Sequence, residues 1–159
     1  MPASGVIRLP DANAWLALSF SDHVHHALAR TWFNAQSEAA CAFCRVTQMA
    51  SLRHLTNPTI MGAFVRNQRD AWLAYDKPAA DPRVIFVPEP PGLEAAFRRF
   101  TQASSPSHAL WTDAYLAAFA VESQAQLVSF DRGFSRFAGL DFLALTDTQG
   151  AAQPPTAPP

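Results

Sequence analysis

The chain is predicted to be an α/β domain built around a mostly parallel sheet with helices on both faces. Short apolar runs of strand length recur along the sequence, and segments with helical spacing of apolar residues separate them. The chain has 159 residues, of which 49% are hydrophobic and 16% are charged. This length and composition are sufficient for one domain with a buried core.

Strands are predicted where short apolar runs end at a proline, a turn or a charged residue. The five runs are residues 6–9, 39–44, 84–87, 126–130 and 140–145. Helices are predicted where apolar residues recur at three- and four-residue spacing. They cover 14–18, a segment from a cap at Ser21 and Asp22 to about 34, 45–56, 64–76, 93–101 and 111–123. In 45–56, the side chains expected to face inward or nearly so are Val46, Met49, Ala50 and Leu52, and the main apolar residues of 64–76 are Trp72 and Leu73.

Residues 1–146 are predicted to form this domain, and the proline-rich residues 147–159 a disordered tail. The sequence shows no signal peptide and no apolar run near the ~20 residues of a membrane span. We therefore expect a cytoplasmic protein without membrane contact. The net charge of −1 argues against a broadly basic nucleic-acid surface. Eleven of the twelve cationic side chains are arginine, which suits phosphate contacts but serves equally as ordinary surface charge.

Several pairs and clusters have a structural interpretation that we favour over a functional one. Cys41 and Cys44 have C-x-x-C spacing, but no second cysteine pair completes a zinc site, so two buried small residues are expected. The histidines near residue 25 are expected to be exposed at a helix terminus. The tryptophans of three different helices are expected in the core, with an apolar groove for a partner helix as the alternative. These residues are His23, His25, His26, Trp15, Trp32 and Trp72.

Three aspartates carry the functional prediction. Asp11 follows the first strand, and Asp131 follows the fourth. Asp113 lies in the first turn of a helix that is apolar almost all round, so its carboxylate requires a partner or a cation. That helix follows another helix, which allows it to begin at the carboxyl edge of the sheet, where sites form. Taken singly, each aspartate is explained equally well as a helix or turn cap.

Three carboxylates that meet at one edge repel each other unless some are protonated or a cation lies among them. Oxygen ligands select hard cations, so Mg²⁺ is the expected ion, with Mn²⁺ as the second possibility. Such an ion polarises a bound phosphate and activates water, and the chemistry expected is hydrolysis of a phosphodiester. Residues with weaker claims, as groups that orient an acid or the substrate, are Asn13, Gln48, Thr112, Ser129 and Arg132.

Four segments in order resemble the PIN-domain nucleases, and most closely the VapC-type toxins of bacterial toxin–antitoxin pairs. They are residues 9–17, 44–48 with 52–58, 111–117 and 127–134. The resemblance implies a three-layer α/β/α PIN fold with a central parallel sheet of about five strands in the order 3-2-1-4-5. It also implies metal-dependent cleavage of RNA, an antitoxin partner and a homodimer. Asp11, Asp113 and Asp131 match the family's first, third and fourth acidic positions.

The chain departs from the family pattern in the helix after the second strand. Many members carry a glutamate there, whereas this chain reads Arg45-Val46-Thr47-Gln48-Met49. Gln48 offers a carbonyl oxygen but no charge, which favours one firmly held metal over two. The alternative is a catalytically weakened PIN-like module that only binds protein or RNA, and a third hypothesis is a nuclease that acts on DNA.

Overall fold

A computed structural model describes residues 5–146 of the chain. The predicted disordered tail, 147–159, lies outside the described residues. The strands in the described part are β1 (Arg8–Pro10), β2 (Cys41–Phe43), β3 (Val84–Phe86), β4 (Gln126–Ser129) and β5 (Phe142–Ala144). The α-helices there are α1 (Ala12–Ser19), α2 (His26–Asn34), α3 (Arg45–Leu55), α4 (Pro58–Met61), α5 (Gln68–Ala79), α6 (Leu93–Phe100) and α7 (Leu110–Glu122). Two 3₁₀ turns cover Gly62–Phe64 and Arg132–Arg136.

The five strands form one parallel sheet in the order β3-β2-β1-β4-β5, which confirms the predicted fold and strand order. The chain adds β2 and β3 on one side of β1 and then adds β4 and β5 on the other side. The strand order therefore reverses at the boundary between β1 and β4. In open α/β sheets, such a reversal leaves a crevice at the carboxyl ends of the two central strands. The fold therefore places Asp11 and Asp131 on either side of that crevice.

Helices cover both faces of the sheet. One hydrophobic cluster packs α6 and α7 against the strands and includes Leu9, Leu127 and Phe119. A second cluster packs α1, α2 and α5 against β2 and β3, where the Trp15 ring stacks on Phe43 with centroids 3.9 Å apart. β2 is buried along its whole length and β1 and β4 are buried along most of theirs, which explains why these strands are continuous apolar runs rather than alternating ones.

The prediction for the two cysteines is confirmed, because Cys41 and Cys44 are buried and unpaired. Of the tryptophans, Trp15 lies in the core as expected, Trp32 is partly buried, and Trp72 is 47% exposed. No helix within residues 5–146 has the length and apolar character that crossing a bilayer would require.

Two helix starts were wrongly predicted. α2 begins at His26, and turns occupy the residues after the expected cap at Ser21 and Asp22. α5 begins at Gln68, because the Asn67 side chain accepts a hydrogen bond of 2.9 Å from the Asp70 N–H and caps the helix there. The missed cap places the helix four residues later than predicted.

The inward face predicted for α3 is wrong at Met49, whereas Val46 and Leu52 are partly buried against the core as expected. In α3 the buried side chains are Thr47, Gln48, Ser51 and Leu55, and Met49 is 52% exposed. The Thr47 hydroxyl bonds to the backbone of Cys44 and closes a capping box, so its stabilising polar contact turns this face inward. In α5, Ala71 and Tyr75 face inward, and the larger Trp72 and Leu73 lie mostly outside.

Candidate active site

Asp11 lies directly after β1, at the crevice between the two central strands, and is 6% exposed. Its Oδ1 accepts a hydrogen bond of 2.8 Å from the Ala14 backbone N–H, which caps α1. Its Oδ2 accepts one of 2.5 Å from the Ser129 hydroxyl at the end of β4. The carboxylate is thus held by contacts from both sides of the crevice. Its caps explain the local geometry, but they leave further lone pairs of each oxygen free.

Ser129 connects two of the three predicted acids. Its hydroxyl oxygen accepts a hydrogen bond of 2.9 Å from the Asp131 backbone N–H while its proton is donated to Asp11. The Ser129 side chain is fully buried, so this arrangement has no solvent alternative. It ties the position of Asp131 to that of Asp11 across two neighbouring strands.

The Asp11 carboxylate lies in a buried, acidic environment, and no cation within residues 5–146 is among the groups that shift its pKa. Its pKa is raised from 3.8 to about 6, chiefly by burial and to a smaller extent by the charges of Asp113 and Asp131. The hydrogen bonds from Ser129 and Ala14 oppose this rise because they stabilise the ionised form. The site therefore holds a proton more readily than an ordinary aspartate, and a nearby cation would relieve the same deficit.

Asp113 lies in the first turn of α7, at the same edge of the sheet as Asp11. Its Oδ2 pairs with the Arg136 guanidinium at 3.2 Å. Burial raises the pKa of Asp113, and the hydrogen bond and charge of Arg136 oppose that rise. Sequence reasoning missed Arg136, because nothing in the spacing Asp131 to Arg136 indicates that a 3₁₀ turn would carry the guanidinium back to α7.

A tight turn after β4 sets the positions of Asp131 and Arg136. The Asp131 Oδ1 accepts a hydrogen bond of 2.8 Å from the Gly133 N–H, and the Arg136 guanidinium donates one of 3.2 Å to the Gly133 carbonyl. A Cβ at residue 133 would lie 2.9 Å from Asp131 Oδ1 and 3.0 Å from Arg136 Nη1. Glycine at this position allows both side chains to approach the turn.

The remaining predicted residues have different surroundings. Asn13, Thr112 and Arg132 are exposed. Gln48 is 7% exposed and accepts a hydrogen bond from Arg45 on the same helix. Asp131 is exposed, whereas Asp11 is buried.

Of the histidines expected to be exposed at a helix terminus, His25 is exposed, and His23 and His26 are partly buried. His26 Nδ1 lies 2.8 Å from the Ala17 carbonyl, and the His25 ring stacks on Phe130. Among residues 5–146, no three His, Cys, Asp or Glu side chains are already placed to hold a metal ion together.

The donor set nevertheless fits a hard cation better than it fits any other group. Asp11, Asp113 and Asp131 provide only oxygen ligands, and their charges act on one another through the crevice. Arg136 supplies part of the missing positive charge at Asp113. An ion held by Asp11 and Asp113 would take over that role, and it would require the Arg136 side chain, which is 47% exposed, to turn away.

Comparison with known proteins agrees with this geometry. Residues 8–140 match the PIN domain family. The chain belongs to the PIN-domain family. Ribonuclease VapC41 of Mycobacterium tuberculosis is 42% identical over 142 residues, which cover 86% of this chain and 97% of that protein. Ribonuclease VapC29 of the same organism is 33% identical over 134 residues, covering 82% of this chain and 90% of that protein. Within the PIN domains, the chain is therefore a member of the VapC ribonucleases.

Solved structures share the fold at low sequence identity. M. tuberculosis VapC20, a sarcin–ricin loop cleaving toxin, superposes with a TM-score of 0.61 at 15% identity and covers 84% of this chain and 98% of that chain. A chain of the DNA-bound VapBC of Salmonella typhimurium gives a TM-score of 0.64 at 12% identity, covering 89% of this chain and all of that chain. These PIN domains confirm the architecture derived above.

Proposed function

We propose that this PIN domain is a divalent-metal-dependent endoribonuclease that acts as the toxin of a toxin–antitoxin pair. The observation that carries the proposal is the buried Asp11 carboxylate, whose pKa is raised by burial and by the two other acids at the crevice. The kinship with VapC ribonucleases supports RNA as the substrate. The name VapBC of structural relatives supports an antitoxin as the protein partner.

Asp11 and Asp113 are the proposed main ligands of one Mg²⁺, or of Mn²⁺ in its place, with Asp131 as the third acid. When bound, the ion would polarise the scissile phosphate and stabilise the negative charge that develops on it. Ser129 holds the Asp11 carboxylate in one orientation through its hydrogen bond. Asp131 is positioned by the Gly133 turn and by the same serine.

Gln48 and Arg45 occupy the helix in which many VapC toxins have a further glutamate. Without an acid there, a second ion has fewer ligands, and we propose one firmly held metal. Arg132 is exposed beside Asp131 and has the position of a group that meets RNA phosphate. We place the protein in the cytoplasm, where this substrate is found, and propose that it forms a homodimer as part of the toxin–antitoxin assembly.

The test is cleavage of a structured RNA by the purified protein with Mg²⁺, with Mn²⁺ and with a chelator. Asp113→Asn should abolish cleavage, because it removes one of the two main ligands. Asp141→Asn is the matched control, because Asp141 is an exposed acid at the amino edge, bonded to Gln126. Metal-dependent cleavage that only Asp113→Asn removes supports the proposal.

Two other outcomes would contradict it. Cleavage that persists in the Asp113→Asn protein would show that the acids at the crevice do not carry the activity. RNA binding without cleavage under every metal condition would favour the catalytically weakened binding module. The Arg136–Asp113 ion pair and the neutral Gln48 are the two observations that keep this second function in view.

A further inference from the structure

Arg45 is an exposed cation whose side chain is held in place from two directions. It is the first residue of α3, directly after β2, the strand beside β1. Its guanidinium lies over the Phe86 ring, 4.8 Å from the centroid, and donates a hydrogen bond to the Gln48 side-chain carbonyl. Phe86 is the last residue of β3 and is 42% exposed. An exposed arginine on a solvated surface has no need of such support.

The support for Arg45 reaches into the hydrophobic core. Gln48 is 7% exposed, and its side chain lies close enough to the Tyr75 hydroxyl to oppose the rise that burial causes in the pKa of that group. The Tyr75 ring packs edge-on against Phe43, with centroids 4.8 Å apart, and Phe43 is fully enclosed by the second cluster. A buried amide is costly unless its polar atoms are satisfied, so the hydrogen bond between Arg45 and the Gln48 carbonyl is a fixed contact. It sets the direction in which the guanidinium points.

Arg45 has no ion-pair partner within the part of the chain that the structure describes. The ion pairs found among residues 5–146 join Arg83 to Asp81, Arg98 to Glu94 and Arg136 to Asp113. Arg45 belongs to none of them, and its partners are a neutral amide and an aromatic ring. A guanidinium has five N–H donors, and only one is used here. It is therefore preorganised for an anion that comes from outside.

We propose that Arg45, supported by Phe86 and Gln48, binds a phosphate of single-stranded RNA next to the bond that is cut. The inference rests on the proposed function and adds a substrate-binding position to it. Phe43 and Phe86 are register partners, so β2 and β3 end at the same edge as Asp11. Two strand spacings of about 4.8 Å separate β1 from β3 along this edge. A strand of RNA whose phosphate lies at the crevice thus passes Arg45 with a neighbouring nucleotide.

The first turn of α3 has no acidic residue, which suits the binding of a phosphate beside Arg45. A glutamate at this place would add negative charge to a crevice that is already short of cations. Arg45 and Gln48 instead place a fixed positive charge there. The chain exchanges a metal ligand for a phosphate-binding group, and arginine suits that task because its planar fork matches phosphate oxygens.

The test measures binding of a fluorescent single-stranded RNA to the full chain by anisotropy, in chelator, between 50 and 200 mM salt, with cleavage in Mg²⁺ measured in parallel. Arg45→Gln should weaken binding roughly tenfold, as expected for a charged hydrogen bond. It should also lower the slope of log Kd against log salt by about 0.7, the value for one phosphate contact on a single strand. Gln48→Leu keeps the positive charge of Arg45 but removes the hydrogen bond that holds its side chain. RNA affinity should therefore fall while the salt slope is retained.

Arg83→Gln is the matched control. Arg83 also lies over a phenylalanine, Phe33, at 4.1 Å, but it precedes β3 at the opposite edge of the sheet and is paired with Asp81. Its replacement should change neither RNA affinity nor the salt slope, and thermal unfolding should show that each variant remains folded. Suppose that the unmodified chain cuts RNA, and that Arg45→Gln and Arg83→Gln give the same RNA affinity and the same slope of log Kd against log salt. That result would overturn this inference and leave the proposed function intact. An unmodified chain that neither binds nor cuts RNA would overturn the proposed function and this inference together.

Discussion

Replacing Asp11 by asparagine should stabilise the folded protein in the absence of metal and remove its response to divalent ions. Asp11 is nearly fully buried, and its pKa is raised from 3.8 to about 6, chiefly by burial. The folded state therefore binds this proton more tightly than the unfolded state does. The stabilising effect of protonation is fully present below about pH 4 and is lost as the pH rises through about 6.

The magnitude follows from that pKa. Each pH unit between the folded and unfolded values is worth about 1.4 kcal/mol, so the ionised Asp11 costs about 3 kcal/mol at pH 7.5. An asparagine keeps the carbonyl oxygen that accepts from the Ala14 N–H, but its amide requires Ser129 to act as an acceptor. The gain in the free energy of unfolding should therefore be smaller, about 1 to 3 kcal/mol. For a domain of this size, that is an increase in Tm of about 2 to 10 °C.

The assay is thermal and urea unfolding followed by circular dichroism, from pH 4 to pH 8, in chelator. The stability of the unmodified chain should fall between pH 4 and pH 7 by more than that of the Asp11→Asn protein. Adding Mg²⁺ or Mn²⁺ at ten times its Kd should stabilise the unmodified chain by about 1.4 kcal/mol and leave the variant unchanged. The exposed Asp141→Asn change is the control for loss of one negative charge. An Asp11→Asn protein that is no more stable than the unmodified chain at pH 7.5, with the same pH dependence, would refute the reasoning.

Three further variants test the contacts around Asp11. Ser129→Ala should destabilise the protein by about 1 to 3 kcal/mol and raise the pKa of Asp11, because a buried hydrogen bond to the carboxylate is lost; urea unfolding across pH measures both. Arg136→Gln should tighten Mn²⁺ binding by roughly two- to fivefold in calorimetry, since an exposed ion pair that competes for Asp113 is worth about 0.2 to 1 kcal/mol; unchanged affinity would mean that Arg136 does not compete. Gly133→Ala should lower RNA cleavage several-fold with little change in Tm, because the new Cβ displaces the exposed Asp131 and Arg136 side chains; full activity would argue that Asp131 has no part in the site.

The fold was predictable because its signal is repeated along the chain. Short apolar runs alternate with helices, and a parallel sheet buried on both faces accounts for runs such as Val84–Phe86. The errors in helix start and helix face occurred where a single local contact determines the structure. The Asn67 cap delays α5, and the Thr47 hydroxyl turns a polar face of α3 inward. In each case a side-chain bond to the backbone outweighs the hydrophobic pattern, and no periodicity reports it.

The placement of the acids at one edge of the sheet was predictable, whereas the positions of the cations beside them were not. Asp11 and Asp131 follow strands, and strand ends at the edge of a parallel sheet are the one place where topology alone brings distant residues together. Arg136 reaches Asp113 through a five-residue 3₁₀ turn, and Arg45 is held by a buried amide on its own helix. Those contacts depend on the path of a turn and on side-chain conformations, which sequence spacing does not determine.

The distribution of charge at the carboxyl edge explains how a chain with a net charge of −1 can act on a polyanion. The crevice between β1 and β4 is acidic, so a phosphodiester enters it more readily when a cation neutralises part of this charge. Arginines flank it, with Arg45 on the β3 side and Arg132 and Arg136 on the β5 side. If these three make the phosphate contacts, the slope of log Kd against log salt should be about 2 in magnitude, at about 0.7 per contact. A broad basic surface that makes 6 to 10 contacts would give a slope of roughly 4 to 7, so one salt titration of RNA binding separates recognition by a few fixed arginines from recognition by a general positive field.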